Sequence, residues 1–263
     1  MAIELLVMGG GKMGSALVDG LVRHGWASPE ALAVCDPDDA VRHRLVGAHP
    51  GVLVTPVPVA ADAVLLAVKP DVAEAACRAV APHAPGRVLS VVAGLAAGRL
   101  EAHLPAGTPV VRAMPNTPSL IGAGIAAMAG GSHVSGADLD WAESVLAAVG
   151  TVVRLPERYL DAVTGVSGSG PAYLFLVAEA LIEAGVAAGL ARPVSRTLVV
   201  ETLLGSARLL AETGADPAEL RADVTSPGGT TAMALRTLEL KAVRSAFIEA
   251  VAAATERSRQ LGR

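Results

Sequence analysis

Aromatic residues are almost absent: two Trp, two Tyr and two Phe in 263 residues. So few rings cannot build the stacking platforms that hold single-stranded nucleic acid, and the apolar mass is aliphatic. Lysine is nearly as scarce, at Lys12, Lys69 and Lys241. A net charge of −4 and a pI near 5.9 exclude the basic footprint of a nucleic-acid binder. Cys35 and Cys77 are too few for a disulfide framework and read as reduced thiols. None of the six histidines pairs with a cysteine or another histidine at ligand spacing, so no metal is expected. Charged residues are only 17% against 52% hydrophobic, which excludes intrinsic disorder. The length suits one large domain or two smaller ones with a sizeable core.

A mean hydropathy of +0.51 raises the question of a membrane. The longest uncharged stretch, 113–137, contains Pro115, Asn116, Pro118 and five glycines, and the apolar run 173–191 is broken by Glu179 and Glu183. Neither reads as a lipid-spanning helix. The chain enters a strand pattern at Ile3 with no basic leader. The expectation is a soluble cytoplasmic protein with no membrane partner.

Short apolar runs alternate with helical patterns over the first half. Strands are expected at 3–8, 31–35, 52–55, 63–68, 88–92 and 110–114, with candidate edge strands at 121–128 and 151–154. Helices are expected at 15–24, 38–46, 71–80 and 137–148. This alternation implies a parallel, doubly wound α/β sheet. After about residue 156 the strand signal stops, and helices are expected at 171–188, 194–212, 217–221 and 231–260. Two domains follow, 1–155 and 156–263. Val199, Leu203 and Leu210, flanked by Val200, Leu204 and Ala207, make a stripe wide for so small a helical domain. Self-association is one reading and an ordinary monomer core the other.

Gly9-Gly10-Gly11-Lys12-Met13-Gly14 contains G-x-G-x-x-G between the first strand and the first helix, the context that a dinucleotide-binding turn requires. Gly9 permits the tight turn, Gly11 lets the backbone approach a pyrophosphate, and Gly14 lets helix and sheet pack closely. The helix N-terminus offers unpaired N–H groups to the phosphates. Asp36 closes the second strand, about 20 residues beyond the turn, where an acid accepts the ribose hydroxyls of NAD and repels the 2′-phosphate of NADP. It serves equally as a turn or cap residue ahead of Pro37.

Ala67-Val68-Lys69-Pro70, Val92-Ala93-Gly94 and Met114-Pro115-Asn116-Thr117-Pro118 stand at the carboxyl ends of three successive strands, where such sheets bind ligands. A solvated Lys69 in a plain loop is the simpler alternative. Val224-Thr225-Ser226-Pro227-Gly228-Gly229-Thr230-Thr231 precedes the last helix. Hydroxyls and bared amides at a helix N-terminus suit a small carboxylate. The same residues also make an ordinary helix start, capped by Ser226 with Pro227 in the first turn. Ser167–Tyr173 (SGSGPAY) lacks the G-x-S-x-G of a nucleophile elbow and reads as a helix start at Gly170-Pro171.

The segments 9–14, 67–70, 114–118, 167–173 and 224–231, in this order and covering nearly the whole chain, resemble pyrroline-5-carboxylate reductase. The resemblance implies reduction of 1-pyrroline-5-carboxylate to L-proline by NADPH or NADH. It also implies a Rossmann domain joined to an all-helical dimerisation domain, as a homodimer or a ring of dimers. Carried over, Gly9, Gly11, Lys12, Met13 and Gly14 form the pyrophosphate turn. Ala67, Val68, Lys69, Pro70, Ala93 and Gly94 line the nicotinamide side, and Asn116 orients nicotinamide or substrate. Ser226, Gly228, Gly229, Thr230 and Thr231 hold the substrate, with Thr231 as proton donor. Cys35-Asp36-Pro37 departs from the residues that receive a 2′-phosphate in many members, so Asp36 leans toward NADH where the family leans toward NADPH. A β-hydroxyacid dehydrogenase would place a lysine early in the helical domain, and none lies between Lys69 and Lys241. A related imine reductase and a non-catalytic dinucleotide sensor are the other readings.

Overall fold

The computed structural model describes residues 2–262. Its strands β1 (Leu5–Met8), β2 (Leu32–Cys35), β3 (Leu53–Thr55), β4 (Ala63–Leu66), β5 (Arg87–Ser90), β6 (Val110–Met114), β7 (Gly124–Gly130) and β8 (Gly150–Arg154) form one sheet in the order β3-β2-β1-β4-β5-β6-β7-β8. From β3 to β6 every pairing is parallel, which gives the dinucleotide-binding order, reversing beside β1. The expectation of a wholly parallel sheet needs correction. β7 runs antiparallel to β6, and β8 is parallel to β7. β7 is also internal, so only β8 of the two expected edge strands lies at an edge. The turn 117–121 after β6 sends the chain straight back, leaving no room for a crossover helix.

Helices α1 (Lys12–Arg23), α2 (Asp39–Ala48), α3 (Pro70–Val80), α4 (Ala97–Glu101) and α5 (Gly136–Ala147) cover the sheet. The pleat divides each strand between two cores. Leu5 and Val7 of β1 join Leu17 and Leu21 of α1, Leu45 of α2 and Leu146 of α5. Leu6 and Met8 face the other way, with Ala73, Cys77 and Val80 of α3 and Leu100 of α4. This double burial explains why the strands read as unbroken apolar runs.

Beyond β8 the chain is helical: α6 (Leu160–Val163), a π turn (Thr164–Gly168), α7 (Gly170–Ala187), α8 (Arg192–Thr213), α9 (Pro217–Asp223), α10 (Thr230–Leu240) and α11 (Val243–Leu261). The helix expected over 231–260 is thus two. They part at Ala242, whose φ of +55° is left-handed backbone that alanine adopts at a cost. Its alanine, a strong helix former, gives no sequence signal for this break. The run Glu157–Ala187 is long and apolar enough to cross a membrane by length and composition.

Two compact units emerge by contact. The first ends at Ser169 and takes back the chain from Val251 onward; the second is Gly170–Ala250. Grouped by contact, the first unit thus extends past the expected 155/156 boundary and includes the end of α11. Arg112 of β6, 5% exposed, explains that return. Its guanidinium meets Glu157 at 3.4 Å and Asp161 of α6 at 3.5 Å. Glu157 also accepts the amide N–H of Ala97, and Asp161 accepts the hydroxyl of Ser258 in α11 at 2.7 Å. Nearby, a Cβ on Gly165 would reach the Val251 carbonyl oxygen at 2.8 Å, so only glycine lets these segments meet.

In the second unit, Ser195 of α8 donates to the carbonyl of Ile182 in α7, and Gly185 lets the two helices approach there. Of Gly170–Ala250 only Pro171 and Ser195 are buried. Leu174, Phe175 and Leu176 of α7, Leu198 and Leu204 of α8, and Phe247 and Ile248 of α11 are all exposed. The expected stripe on α8 is no closed core, since Val199 and Leu203 are half-buried and Val200, Leu204, Ala207 and Leu210 exposed.

Replacing Arg112 with alanine would leave two carboxylates beside each other without their buried cation. We expect a loss of about 3 kcal/mol in denaturant unfolding, with earlier proteolysis at the end of α11; an unchanged midpoint would contradict this role.

Candidate active site

The N-terminal unit carries a cleft of about 620 Å³ at the carboxyl ends of β1, β2 and β4. It is built on the glycine turn. Gly9 has a φ of +100°, and a Cβ there would sit 2.7 Å from the Ala67 carbonyl oxygen. A Cβ on Gly14 would collide with the Gly9 carbonyl. Gly11 is the N-cap of α1, has no neighbour within 4 Å of a Cβ position, and lines the cleft. No side chain caps α1, so its first-turn N–H groups face outward unpaired. Close packing below, open space above and bare amides at a helix start fit a dinucleotide pyrophosphate.

Gly9, Gly11, Asp36, Ala67, Val68 and Lys69 come together in this lining. Lys69 is exposed and stands at the N-cap of α3 without capping it. Lys12, Met13, Gly14, Pro70, Ala93, Gly94 and Asn116 stand outside the lining. Met13 packs against the core and Pro70 opens α3. Gly94 has a φ of +80°, and a Cβ there would meet Leu261 and the Ser258 carbonyl at 2.9 Å, so it is glycine for packing on α11. Asn116 is buried, and its Oδ1 accepts the Ile125 amide N–H at 3.0 Å, which ties the loop after β6 to β7.

Asp36 is more occupied than a simple ribose acceptor. Its Oδ2 accepts the Gly10 amide at 2.8 Å and its Oδ1 the Asp38 amide at 2.9 Å. The helix cap is a different residue: Asp38 accepts from Ala40 and Val41 and starts α2.

The lining also holds residues that the sequence motifs do not single out. Pro56 and Pro58 follow β3, and Val72, Ala75 and Ala79 lie along one face of α3. With Val41 they form an aliphatic wall at the Asp36 end. The Pro-x-Pro after β3 is the one sequence signal that marks it. Cys35 and Cys77 are free and buried. Burial pushes the Cys35 thiol up and the Cys77 thiol up to about 11. Among the described residues no group of three or more His, Cys, Asp or Glu could hold a metal.

The second constellation lies in the helical unit. Gly229 donates its N–H to the Ser226 carbonyl at 3.0 Å, closing a tight turn. Pro227 is its second residue, and Gly228, with φ +68°, its third. That position needs left-handed backbone and so favours glycine. Gly229 is then the N-cap of α10, and no side chain caps the helix. The expectation that Ser226 caps it with Pro227 in the first turn is therefore corrected: both belong to the preceding turn. A Cβ on Gly229 would strike the Ser226 hydroxyl. The result is a helix start with free amides at Thr230 and Thr231, beside three hydroxyls, of which Thr231 is half-buried and Ser226 and Thr230 exposed. It can bind a small anion without spending a cationic side chain.

Two family models match. Residues 157–261 match pyrroline-5-carboxylate reductase dimerisation, and residues 4–94 match coenzyme F420-dependent NADP oxidoreductase. The chain is 42% identical to the pyrroline-5-carboxylate reductase of Synechocystis, over 100% of both chains. It is 44% identical to that of Mycobacterium tuberculosis strain H37Rv, over 98% of this chain and 96% of the other. The solved pyrroline-5-carboxylate reductase of Coxiella burnetii superposes with a TM-score of 0.91 at 34% identity, covering 100% of both chains. That of Plasmodium falciparum, solved with NADP bound, gives 0.88 at 30%, covering 99% and 98%.

Two glycine substitutions separate packing from binding. Gly14→Ala is expected to lower Tm, because its methyl enters the Gly9 carbonyl. Gly11→Ala is expected to leave Tm unchanged and weaken NADH and NADPH binding in titrations; equal Tm losses for both would contradict the assignment. The thiols give a second check. With ionisation suppressed by burial, both are expected to resist a thiol-specific reagent at pH 8 in the native state and react on unfolding.

Proposed function

The chain belongs to the pyrroline-5-carboxylate reductase family, and from that premise we propose that it reduces 1-pyrroline-5-carboxylate to L-proline with NADH or NADPH, the last step of proline biosynthesis. The observation that carries the reading is the uncapped start of α10 behind the Ser226–Gly229 turn, on a chain that also has a dinucleotide cleft.

Reduced nicotinamide supplies the hydride. The carbon–nitrogen double bond of the imine becomes single as hydride joins carbon, and nitrogen keeps the electron pair and its proton. A protonated imine is already electrophilic, so the protein's task is geometric. Ser226, Gly228, Gly229, Thr230 and Thr231 hold the carboxylate and ring nitrogen through amides and hydroxyls. Thr231 relays a solvent proton to the lone pair left on nitrogen, its hydroxyl gaining one proton as it gives one. Gly9, Gly11, Lys12, Met13 and Gly14 seat the pyrophosphate through the turn and the start of α1. Ala67, Val68, Lys69, Pro70, Ala93 and Gly94 bound the nicotinamide side, and Asn116 orients nicotinamide or substrate. This chemistry requires the 226–231 turn and the nicotinamide to meet in the assembled protein, within one subunit or across a pair.

Asp36, at the ribose end of the cleft, favours NADH through its negative charge. The exposed apolar faces of 170–250 are covered by a second copy of the chain, which also accounts for the apolar run through α7 without a membrane. The dimers can assemble further into a ring, and the protein works in the cytoplasm.

The decisive assay follows loss of reduced-nicotinamide absorbance with 1-pyrroline-5-carboxylate. No turnover from a protein that binds the dinucleotide would favour a sensor. Thr231→Ala is expected to slow the reaction on the order of ten- to a hundredfold without abolishing it, because a threonine hydroxyl is a weak acid. Asp36→Ser is expected to move kcat/KM toward NADPH; a wild type that already prefers NADPH would contradict the selector role.

A further inference from the structure

We infer that Asp36 and Arg44 together clamp the two peptides that flank Gly10, and that Arg44 is a positioning residue for the dinucleotide turn. The inference rests on the reading of 9–14 as the cofactor turn and deepens it. Gly10 is buried within that turn and does not itself line the cleft. Its N–H donates to Asp36 Oδ2 at 2.8 Å. Its carbonyl accepts Arg44 Nη2 at 2.6 Å and the Ser15 hydroxyl at 3.0 Å. The two peptide planes that meet at Gly10 are thus each held, Gly9–Gly10 by a carboxylate and Gly10–Gly11 by a guanidinium and a hydroxyl.

The clamp comes from α2. A Cβ on Gly10 would run into Leu45 and lie 2.9 Å from Val41, so the turn is seated directly on that helix. Arg42 fixes the loop that carries Asp36, donating to the Asp36 and Pro37 carbonyls at 2.9 and 2.7 Å while paired with Asp39. Arg44 has no acidic partner among the described residues. Its positive charge stands beside the start of α1, where a phosphate gains from it. A free Gly10–Gly11 peptide could rotate its carbonyl toward the phosphates; Arg44 and Ser15 prevent it.

The clamp serves the turn common to both dinucleotides, so its loss should not discriminate between them. Arg44→Met is expected to raise the dissociation constants of NADH and NADPH alike, by about tenfold for a charged hydrogen bond. Saturated kcat should stay unchanged, and Arg44→Lys should recover part of the affinity. Ser15→Ala removes the other donor without touching α2 and is expected to give a smaller, equal loss for both cofactors. It keeps the test open should Arg44→Met fold poorly. Unchanged affinity in both variants, or a loss confined to NADPH, would overturn the clamp. A wild-type protein that binds neither dinucleotide would instead overturn the cofactor turn itself.

Discussion

The helical unit of this protein has no interior of its own. Across Gly170–Ala250 only Pro171 and Ser195 are buried, while Leu and Phe side chains on α7, α8, α10 and α11 face outward. Each such side chain, once covered, contributes roughly 1.5–3 kcal/mol. Left in water they give nothing toward the conformational entropy of ordering four long helices. The turn at 226–231 stands on α10, so its positional accuracy depends on the same missing burial. A site that works by geometry needs its supporting elements held firmly. Association is therefore a condition for the chemistry as well as for stability.

The N-terminal unit solves the opposite problem. It is packed on both sheet faces, and its cleft is shaped mainly by backbone and small side chains. Glycines let strand ends and helix starts approach one another, and the bare amides of α1 supply polarity without a side chain. The Arg112 cluster joins β6 to α6 and to the end of α11, so the chain that leaves the sheet at Ser169 returns to it from Val251.

Much of the cleft was legible from local pattern. Gly9, Gly11 and Gly14 follow a buried strand and open a helix, and that context alone gives their roles. The same holds for Pro227 and Gly228, whose residue types name the turn they make. What pattern could not give depends on contacts distant in sequence. Asp36 bonds to the Gly10 N–H from 26 positions away, and Arg44 reaches the carbonyl of the same residue from the next helix. The wall of Pro56, Pro58, Val72 and Ala75 arises only when α3 lies beside the loop after β3. Pro118 and Gly122 mark a turn before β7 without giving the direction of the strand that follows, and the break at Ala242 carries no glycine or proline. The packing of Gly94 on the end of α11 likewise joins residues far apart in the chain.

The most direct test of the dependence on association is sedimentation equilibrium combined with turnover per subunit over a wide dilution series. The account predicts a dimer or larger assembly whose activity and helix content fall together as it dissociates. A monomer that keeps its full helical signal and full turnover at every concentration would contradict it.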